Sequence, residues 1–234
     1  MNRIKEVRFL PLELRTEQEN DDVAYIEGYP IVFNQETDMG EWRETIDPSA
    51  AGNPELLRDV ALMVGHDFGS IPLAHSRRNN GNGTMFLAPD ESGVFMRAAL
   101  AVKDNPRAAE AYSAVKRGDL SGMSFAFTVN EERWEDLDTD KPLRRITGFG
   151  RIFECSLVAF PAYSGTSVQA ASEGDALESV RASLESARKQ AEEDRAAAAA
   201  AEEARLAEEA EAERRRAVLE RLEKLTQEVK HDEV

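Results

Sequence analysis

Three residues of this 234-residue chain carry side chains that could perform acyl transfer together: Ser124, His66 and Glu154. A serine hydroxyl becomes a nucleophile when a base lies within hydrogen-bonding reach, and that base needs a third group to orient it. The chain has only three histidines, so the base has few candidates. The three side chains can act together only if the elements that carry them meet in the fold.

Ser124 lies in a segment that predicts a strand, directly after a helix that ends at Gly118. Side chains alternate across a strand, so Met123 and Phe125 share one face while Ser124 shares the other with small neighbours. We therefore expect the Ser124 hydroxyl to stand where a peptide carbonyl can approach it. Ser121 is the competing nucleophile, but its parity points it at the core if the strand has begun by then. The alternative is that Ser124 is only a small strand residue.

His66 is the favoured base. Residues 59–64 form a short apolar run that predicts a buried strand, and Gly65 after this run permits a tight turn. A rigid strand would then deliver His66 at its C-terminal end. His75 lies beside a loop rich in Asn and Gly, and His231 lies in a charged tail, so both are less well placed. A single histidine at a strand end is often purely structural, and that alternative stays open.

Glu154 is the carboxylate that could orient the histidine. Alternation places it with Ile152 and Ser156 on one face of a predicted strand, where an unpaired carboxylate would be costly. A hydrogen bond to an imidazole would satisfy it. An ion pair with Arg151 or Arg145 would satisfy it equally well, so the residues alone leave both pairings open.

The surrounding elements predict an α+β domain. Residues 104–118 carry the clearest helix signal, with Asn105 and Pro106 at the start and Gly118 at the end. Residues 131–142 are charged and predict a mobile loop. Strands are predicted by apolar alternation or apolar runs at 4–14, 23–33 with a bulge or edge at Pro30, 59–64, 85–88, 93–101, a stretch that runs through Val129, 143–146 and 152–160.

The chain divides by composition into a domain at 1–172 and a tail at 173–234. The tail consists largely of Ala, Glu, Arg and Leu and predicts one long charged helix. Only its end has a regular apolar seam, formed by Val218, Leu222, Leu225 and Val229, so a full-length coiled coil is not expected. The residues leave two interpretations of the tail open: a solvated single helix, or a helix that pairs with a partner. A non-catalytic scaffold built on this tail is the second function class.

Composition argues against several other classes. The formal charge is −16, and phosphate contacts need clustered Lys and Arg, so no nucleic-acid partner is expected. One cysteine, Cys155, excludes an internal disulfide framework. No apolar run approaches the roughly 18 residues that span a bilayer, and the N-terminus lacks a signal-peptide pattern. Histidines and carboxylates form no recognisable ligand set, so we expect no metal or cofactor in a soluble, intracellular protein.

Four segments, in order and at suitable intervals, resemble the prohead maturation proteases of tailed bacteriophages. They are 27–34 (EGYPIVFN), 65–67 (GHD), 117–125 (RGDLSGMSF) and 153–162 (FECSLVAFPA). The resemblance covers roughly residues 4–172. It implies a fold similar to that of the herpesvirus assembly proteases, a small, mostly antiparallel β-barrel flanked by helices. By position, the catalytic residues of the family fall on His66, Ser124 and most naturally Glu154, while a second histidine in the herpesvirus relatives keeps His75 as an alternative.

The resemblance also implies a timed activity. Such a serine endopeptidase is enclosed in the immature procapsid in the host cytoplasm, where it cleaves scaffolding segments from the major capsid protein and then cleaves itself. The helical tail would bind the scaffold region of the capsid protein or act as scaffold itself. The small, polar junction at 163–176 is the expected autocleavage site. Self-association, as a dimer or a larger assembly, is plausible by analogy with the herpesvirus relatives.

Overall fold

The computed structural model describes residues 5–11, 14–77, 83–159 and 174–231. The strands are β1 (Glu6–Pro11), β2 (Arg15–Gln18), β3 (Val23–Val32), β4 (Thr37–Asp38), β5 (Arg43–Ile46), β6 (Ala61–Val64), β7 (Ala74–His75), β8 (Met85–Pro89), β9 (Gly93–Ala101), β10 (Gly122–Glu135) and β11 (Leu143–Val158). The α-helices are α1 (Pro106–Arg117) and α2 (Gly174–His231), and two 3₁₀ turns lie at Pro48–Ala51 and Pro54–Leu57.

The strands form two sheets, which confirms the α+β class. The larger sheet has the order β1-β10-β11-β5-β4, with β6 beside β11 and β7 beside β6, and the smaller sheet has the order β2-β3-β9-β8. β1 and β11 both run antiparallel to β10, whereas β5 and β6 run parallel to β11. The described strands do not form a closed barrel, so the barrel implied by the resemblance is not confirmed.

Apolar side chains from both sheets form one core. Phe125 and Phe127 of β10 stack with ring centroids 4.6 Å apart, and Phe149 of β11 packs edge-on against both. Ile26 and Met96 of the smaller sheet are fully buried in the same cluster. The alternation predicted for β10 therefore places its aromatic side chains between the two sheets.

Helix α1 begins and ends where the sequence predicts. The Asn105 side chain caps it by accepting hydrogen bonds from the backbone N–H groups of Arg107 and Ala108. Gly118 ends it in the left-handed conformation, at φ +82°, which glycine adopts without steric cost. Because Gly118 stops the helix, the chain can turn directly into β10.

The hairpin of β10 and β11 is longer than predicted. Residues 143–158 form one strand rather than two, and β10 continues to Glu135 instead of giving way to a loop. The charged residues in this part pair across the strands, with Arg145 Nε 2.8 Å from Glu135 Oε1 and Arg144 Nε 2.8 Å from Glu132 Oε2. Cross-strand ion pairs stabilise a ribbon that hydrophobic alternation cannot reveal.

The chain separates into two compact units, residues 1–184 and 185–234. The first turns of α2 belong to the first unit, because Val180 is buried against Met39 and Trp42, and Arg181 pairs with Glu41. In the second unit, the side chains of residues 192–221 are exposed. An independent domain that ends at residue 172 stays a prediction. The apolar seam at the end of the tail lies largely where no side chains are described.

Candidate active site

Three neighbouring strands bring Ser124, His66 and Glu154 together. Ser124 on β10 lies directly opposite Ser156 on β11, two residues beyond Glu154. On the other side of β11, β6 runs parallel, with Met63 opposite Ser156, and the chain reaches His66 two residues after β6 ends. The sheet topology therefore places residues from distant parts of the chain side by side.

The His66 ring lies between the other two side chains. Its Nδ1 is 2.6 Å from Glu154 Oε1, and its Nε2 is 2.7 Å from Ser124 Oγ. A carboxylate only accepts hydrogen bonds, so Nδ1 carries the proton and the Nε2 lone pair faces the serine hydroxyl. An imidazole in this tautomer can accept the Ser124 proton, which is the requirement for a general base.

A tight turn presents His66 to this site. Gly65 and His66 have φ values of +61° and +60°, so both lie in the left-handed region. The Gly65 N–H donates to the Leu157 carbonyl at 3.0 Å, and the His66 N–H donates to Ser156 Oγ at 3.0 Å. A left-handed conformation costs a residue other than glycine about 1–2 kcal/mol, so these bonds hold His66 where it would not otherwise stay.

Glu154 is buried, with 1% of its surface exposed, and both of its carboxylate oxygens are hydrogen-bonded. Oε1 binds the His66 ring and Oε2 accepts the Ser156 hydroxyl at 2.6 Å. The arginine pairing that the sequence left open does not occur. Arg145 binds Glu135 instead, and the Arg151 guanidinium lies over the Phe153 ring, 4.8 Å from its centroid.

Ser124 is fully buried, which corrects the expectation of an open approach to its hydroxyl. A peptide carbonyl does lie at Ser124, but it belongs to the chain itself. The Arg8 carbonyl oxygen is 2.7 Å from Ser124 Oγ, because β1 pairs with β10 and places Phe9 opposite Ser124. The single hydroxyl proton therefore has two acceptors, Arg8 O and His66 Nε2. Because Ser124 is fully buried, its hydroxyl must become exposed before a substrate carbonyl can reach it.

The other residues weighed from the sequence lie elsewhere. Ser121 is exposed and precedes β10, so it does not point at the core. His75 accepts the Arg77 N–H at 3.1 Å through Nδ1, and its Nε2 is 3.7 Å from Asp59 Oδ1. Neither residue is brought to the Ser124 hydroxyl. The His231 side chain lies outside the part that the structure describes.

A cluster of buried charges, which we call the charge cluster, holds β1 against the sheet. It comprises Arg8, Arg144, Glu6 and Glu44, each at most 6% exposed. Arg8 Nη2 is 2.5 Å from Glu6 Oε2 and 2.8 Å from Glu44 Oε2, and Arg144 Nη1 contacts the same two carboxylates at 2.7 and 2.9 Å. Burial by itself raises the pKa of Glu6, but Arg8 and Arg144 outweigh it and lower that pKa to about 2.

A cleft of about 330 Å³ opens between α1 and the end of β6. The first lining residue in the sequence, Val64, lies two residues before His66, and the last, Leu120, lies four residues before Ser124. The lining combines apolar side chains with charged ones: Val64, Leu73, Leu120, Arg107, Glu110 and Asp119.

No group of three or more His, Cys, Asp or Glu side chains among the described residues is arranged to hold a metal ion. Burial, followed by the Glu154 charge, raises the pKa of the Cys155 thiol well above its ordinary value. None of the helices in the described ranges is both long enough and apolar enough to cross a bilayer.

Comparisons with known proteins agree with the resemblance noted from the sequence. The model of a family described as caudovirus prohead serine protease matches residues 11–179. A prohead protease of Enterobacteria phage HK97 is 27% identical over 157 residues, which cover 66% of this chain and 63% of that relative. The chain thus matches somewhat less than two thirds of the relative's length. No solved structure matches the chain significantly.

Proposed function

The chain belongs to the caudovirus prohead serine protease family, and on that premise we propose that it is a serine endopeptidase of phage capsid maturation. The observation that carries the proposal is the His66 ring, hydrogen-bonded on one side to Ser124 and on the other to Glu154. A nucleophile, a base and an orienting carboxylate within hydrogen-bonding distance are the requirements for acyl transfer by serine.

In the proposed mechanism, Ser124 Oγ attacks the carbonyl carbon of the scissile peptide bond while His66 Nε2 takes the hydroxyl proton. Glu154 stabilises the imidazolium that forms. His66 then gives the proton to the leaving amine, the C–N bond breaks, and an acyl-enzyme remains on Ser124. A water molecule releases the acyl group by the same proton transfers in reverse.

The position of β1 fits an enzyme that stays inactive until assembly. The Arg8 carbonyl accepts a hydrogen bond from the Ser124 hydroxyl, which is the group that a substrate carbonyl would have to approach. The Lys5 ammonium, one residue before β1, lies 3.5 Å from the centroid of the Phe68 ring, in the loop that follows His66. Displacement of β1 would free Ser124 and this loop together.

We place the activity inside the assembling procapsid in the host, with the scaffolding segment of the major capsid protein as substrate. The cleft between α1 and β6 offers room for a substrate side chain. The exposed helix of the second unit is suited to target the enzyme to that scaffold or to act as scaffold. Self-association, autocleavage at 163–176, most of which lies outside the described residues, and a barrel like that of the herpesvirus proteases belong to the same proposal.

Co-expression with the major capsid protein of the same phage tests the activity where it is proposed to occur. Procapsids would be isolated over a time course, and both proteins would be followed by intact mass. Wild type and Ser121→Ala are expected to shorten the capsid protein, whereas Ser124→Ala leaves it whole. Ser121→Ala is the matched control, because it removes a nearby exposed hydroxyl.

Two results would count against the proposal. Capsid protein that is trimmed equally by Ser124→Ala means that another protease, or another nucleophile, is responsible. Capsid protein that stays whole in every procapsid, wild type included, favours the alternative of a non-catalytic scaffold that uses the helical tail.

A further inference from the structure

Ser156 is hydrogen-bonded both to His66 and to Glu154, the two residues that share the proton on His66 Nδ1. It is fully buried on β11, and its hydroxyl makes two hydrogen bonds in opposite senses. The oxygen accepts the backbone N–H of His66 at 3.0 Å, and the hydroxyl donates to Glu154 Oε2 at 2.6 Å. With the bond between His66 Nδ1 and Glu154 Oε1, these contacts close a ring of hydrogen bonds through three residues.

Few side chains could occupy this position. A hydroxyl both donates and accepts, so it can serve an N–H and a carboxylate at the same time. Alanine would leave the His66 N–H and one oxygen of a buried carboxylate without these partners, and an unsatisfied buried polar group costs about 1–3 kcal/mol.

The ring of hydrogen bonds fixes both the backbone and the side chain of His66. The backbone is held at φ +60°, a conformation that needs support from its surroundings. The side chain is held by a carboxylate whose second oxygen is itself fixed. Both supports come from β11, which also lies beside the strand that carries Ser124. The direction of the Nε2 lone pair toward Ser124 thus depends on Ser156, although Ser156 does not contact the reacting atoms.

We propose that Ser156 is a positioning residue that fixes the turn at His66 and the carboxylate of Glu154, and so aims the imidazole at Ser124. The proposal rests on the proposed peptidase function. Ser156 is not the nucleophile itself, because the ring nitrogen that can accept a proton lies at Ser124 and the Ser156 hydroxyl is directed to Glu154.

The test uses two variants of the full chain and a matched control. Ser156→Ala removes the hydroxyl, and Ser156→Cys keeps nearly the same volume but bonds weakly, so together they separate packing from hydrogen bonding. Ser76→Ala is the control, because Ser76 is also fully buried and its oxygen also accepts a backbone N–H, that of Val60, at 2.9 Å.

Two measurements are made on each variant. The first is the proton NMR resonance of His66 Nδ1–H, which a short bond to a carboxylate moves far downfield. The second is the rate constant of capsid-protein cleavage in isolated procapsids. We expect both Ser156 variants to lose or shift the resonance and to cleave about 10- to 100-fold more slowly, since small displacements of a catalytic group cost rate of this order. Ser76→Ala should keep both.

An unchanged resonance and rate in Ser156→Cys would overturn the proposal, because the hydroxyl would then serve only packing. Equal losses in Ser76→Ala would overturn it too, since any buried serine would then matter as much. If wild type itself does not cleave, the peptidase function fails, but the resonance still decides the role of Ser156. Should Ser156→Ala not fold, Ser156→Cys gives both readings.

Discussion

The charge cluster and the site of Ser124, His66 and Glu154 both use β11, but they differ in how their hydrogen bonds are distributed. In the charge cluster, each carboxylate contacts both arginines and each arginine contacts both carboxylates. Around His66, Nδ1 contacts Glu154 and Nε2 contacts Ser124, so the two ring nitrogens contact different side chains. The Ser124 hydroxyl, in turn, has two acceptors for one proton.

The difference separates a group that holds the fold from one that can move a proton. Shared ion pairs fix every charge, and removal of one partner leaves the others buried and unbalanced. At the His66 site, by contrast, a neutral imidazole lies between a hydroxyl and a carboxylate, so a proton can pass from Ser124 to His66 with little change in structure. We therefore expect equal substitutions in the two places to have opposite effects on activity and stability.

The largest effect is expected from Glu154→Gln. The amide keeps the shape of the side chain but offers an N–H or a neutral oxygen to His66, so the imidazole loses its orienting charge and its tautomer. The cleavage rate in procapsids should fall about 10³- to 10⁴-fold, as in other serine triads that lose this charge. Urea unfolding should give nearly the wild-type midpoint. A rate within tenfold of wild type would exclude Glu154 as the third member.

The matched substitution in the charge cluster, Glu44→Gln, should act on stability instead. Glu44 is also buried, but its charge balances Arg8 and Arg144. We expect the free energy of unfolding to fall by about 3–5 kcal/mol, measured in urea, as for other broken buried ion pairs. The cleavage rate per folded molecule should not fall below that of wild type, because a weaker hold on β1 favours the displacement that frees Ser124. A stable Glu44→Gln variant that is inactive would contradict the division of roles.

Acid should weaken the charge cluster through Glu6. The pKa of Glu6 is lowered from its ordinary value of 4.5 to about 2, so its stabilising contribution is complete above pH 4.5 and is lost as the pH falls toward 2. The loss is on the order of 3 kcal/mol. Urea unfolding at several pH values should show a weaker pH dependence in Glu6→Gln than in wild type. The exposed Glu202→Gln is the control and should follow the wild-type curve.

The smallest effect is expected from Arg145→Gln. Arg145 pairs with Glu135 at the surface of the hairpin, and partly exposed ion pairs contribute about 0.2–1 kcal/mol. Stability should change by no more than that amount, and the cleavage rate should not change. The experiment also tests the alternative partner of Glu154, because a large loss of activity here would mean that Arg145, rather than His66, pairs with Glu154 in solution.

Local signals in the sequence determined much of this molecule. Asn105, Pro106 and Gly118 specify the bounds of α1, because capping and termination depend on neighbouring residues only. Alternation placed the aromatic side chains of β10 in the core and put Ser124 on the opposite face. The apolar run before Gly65 indicated that a strand ends just before His66. The residues that could perform chemistry were therefore visible in the sequence.

Only the tertiary structure decided how those residues are connected. The choice of His66 over an arginine as the partner of Glu154, the pairing of β1 across Ser124, and the two bonds of Ser156 all join segments far apart in the chain. The sequence indicated only that Glu154 and Ser156 share one face of a strand. It did not indicate what Ser156 contacts or does. Strand pairing depends on contacts between distant segments, whereas periodicity reports only the face on which a side chain lies.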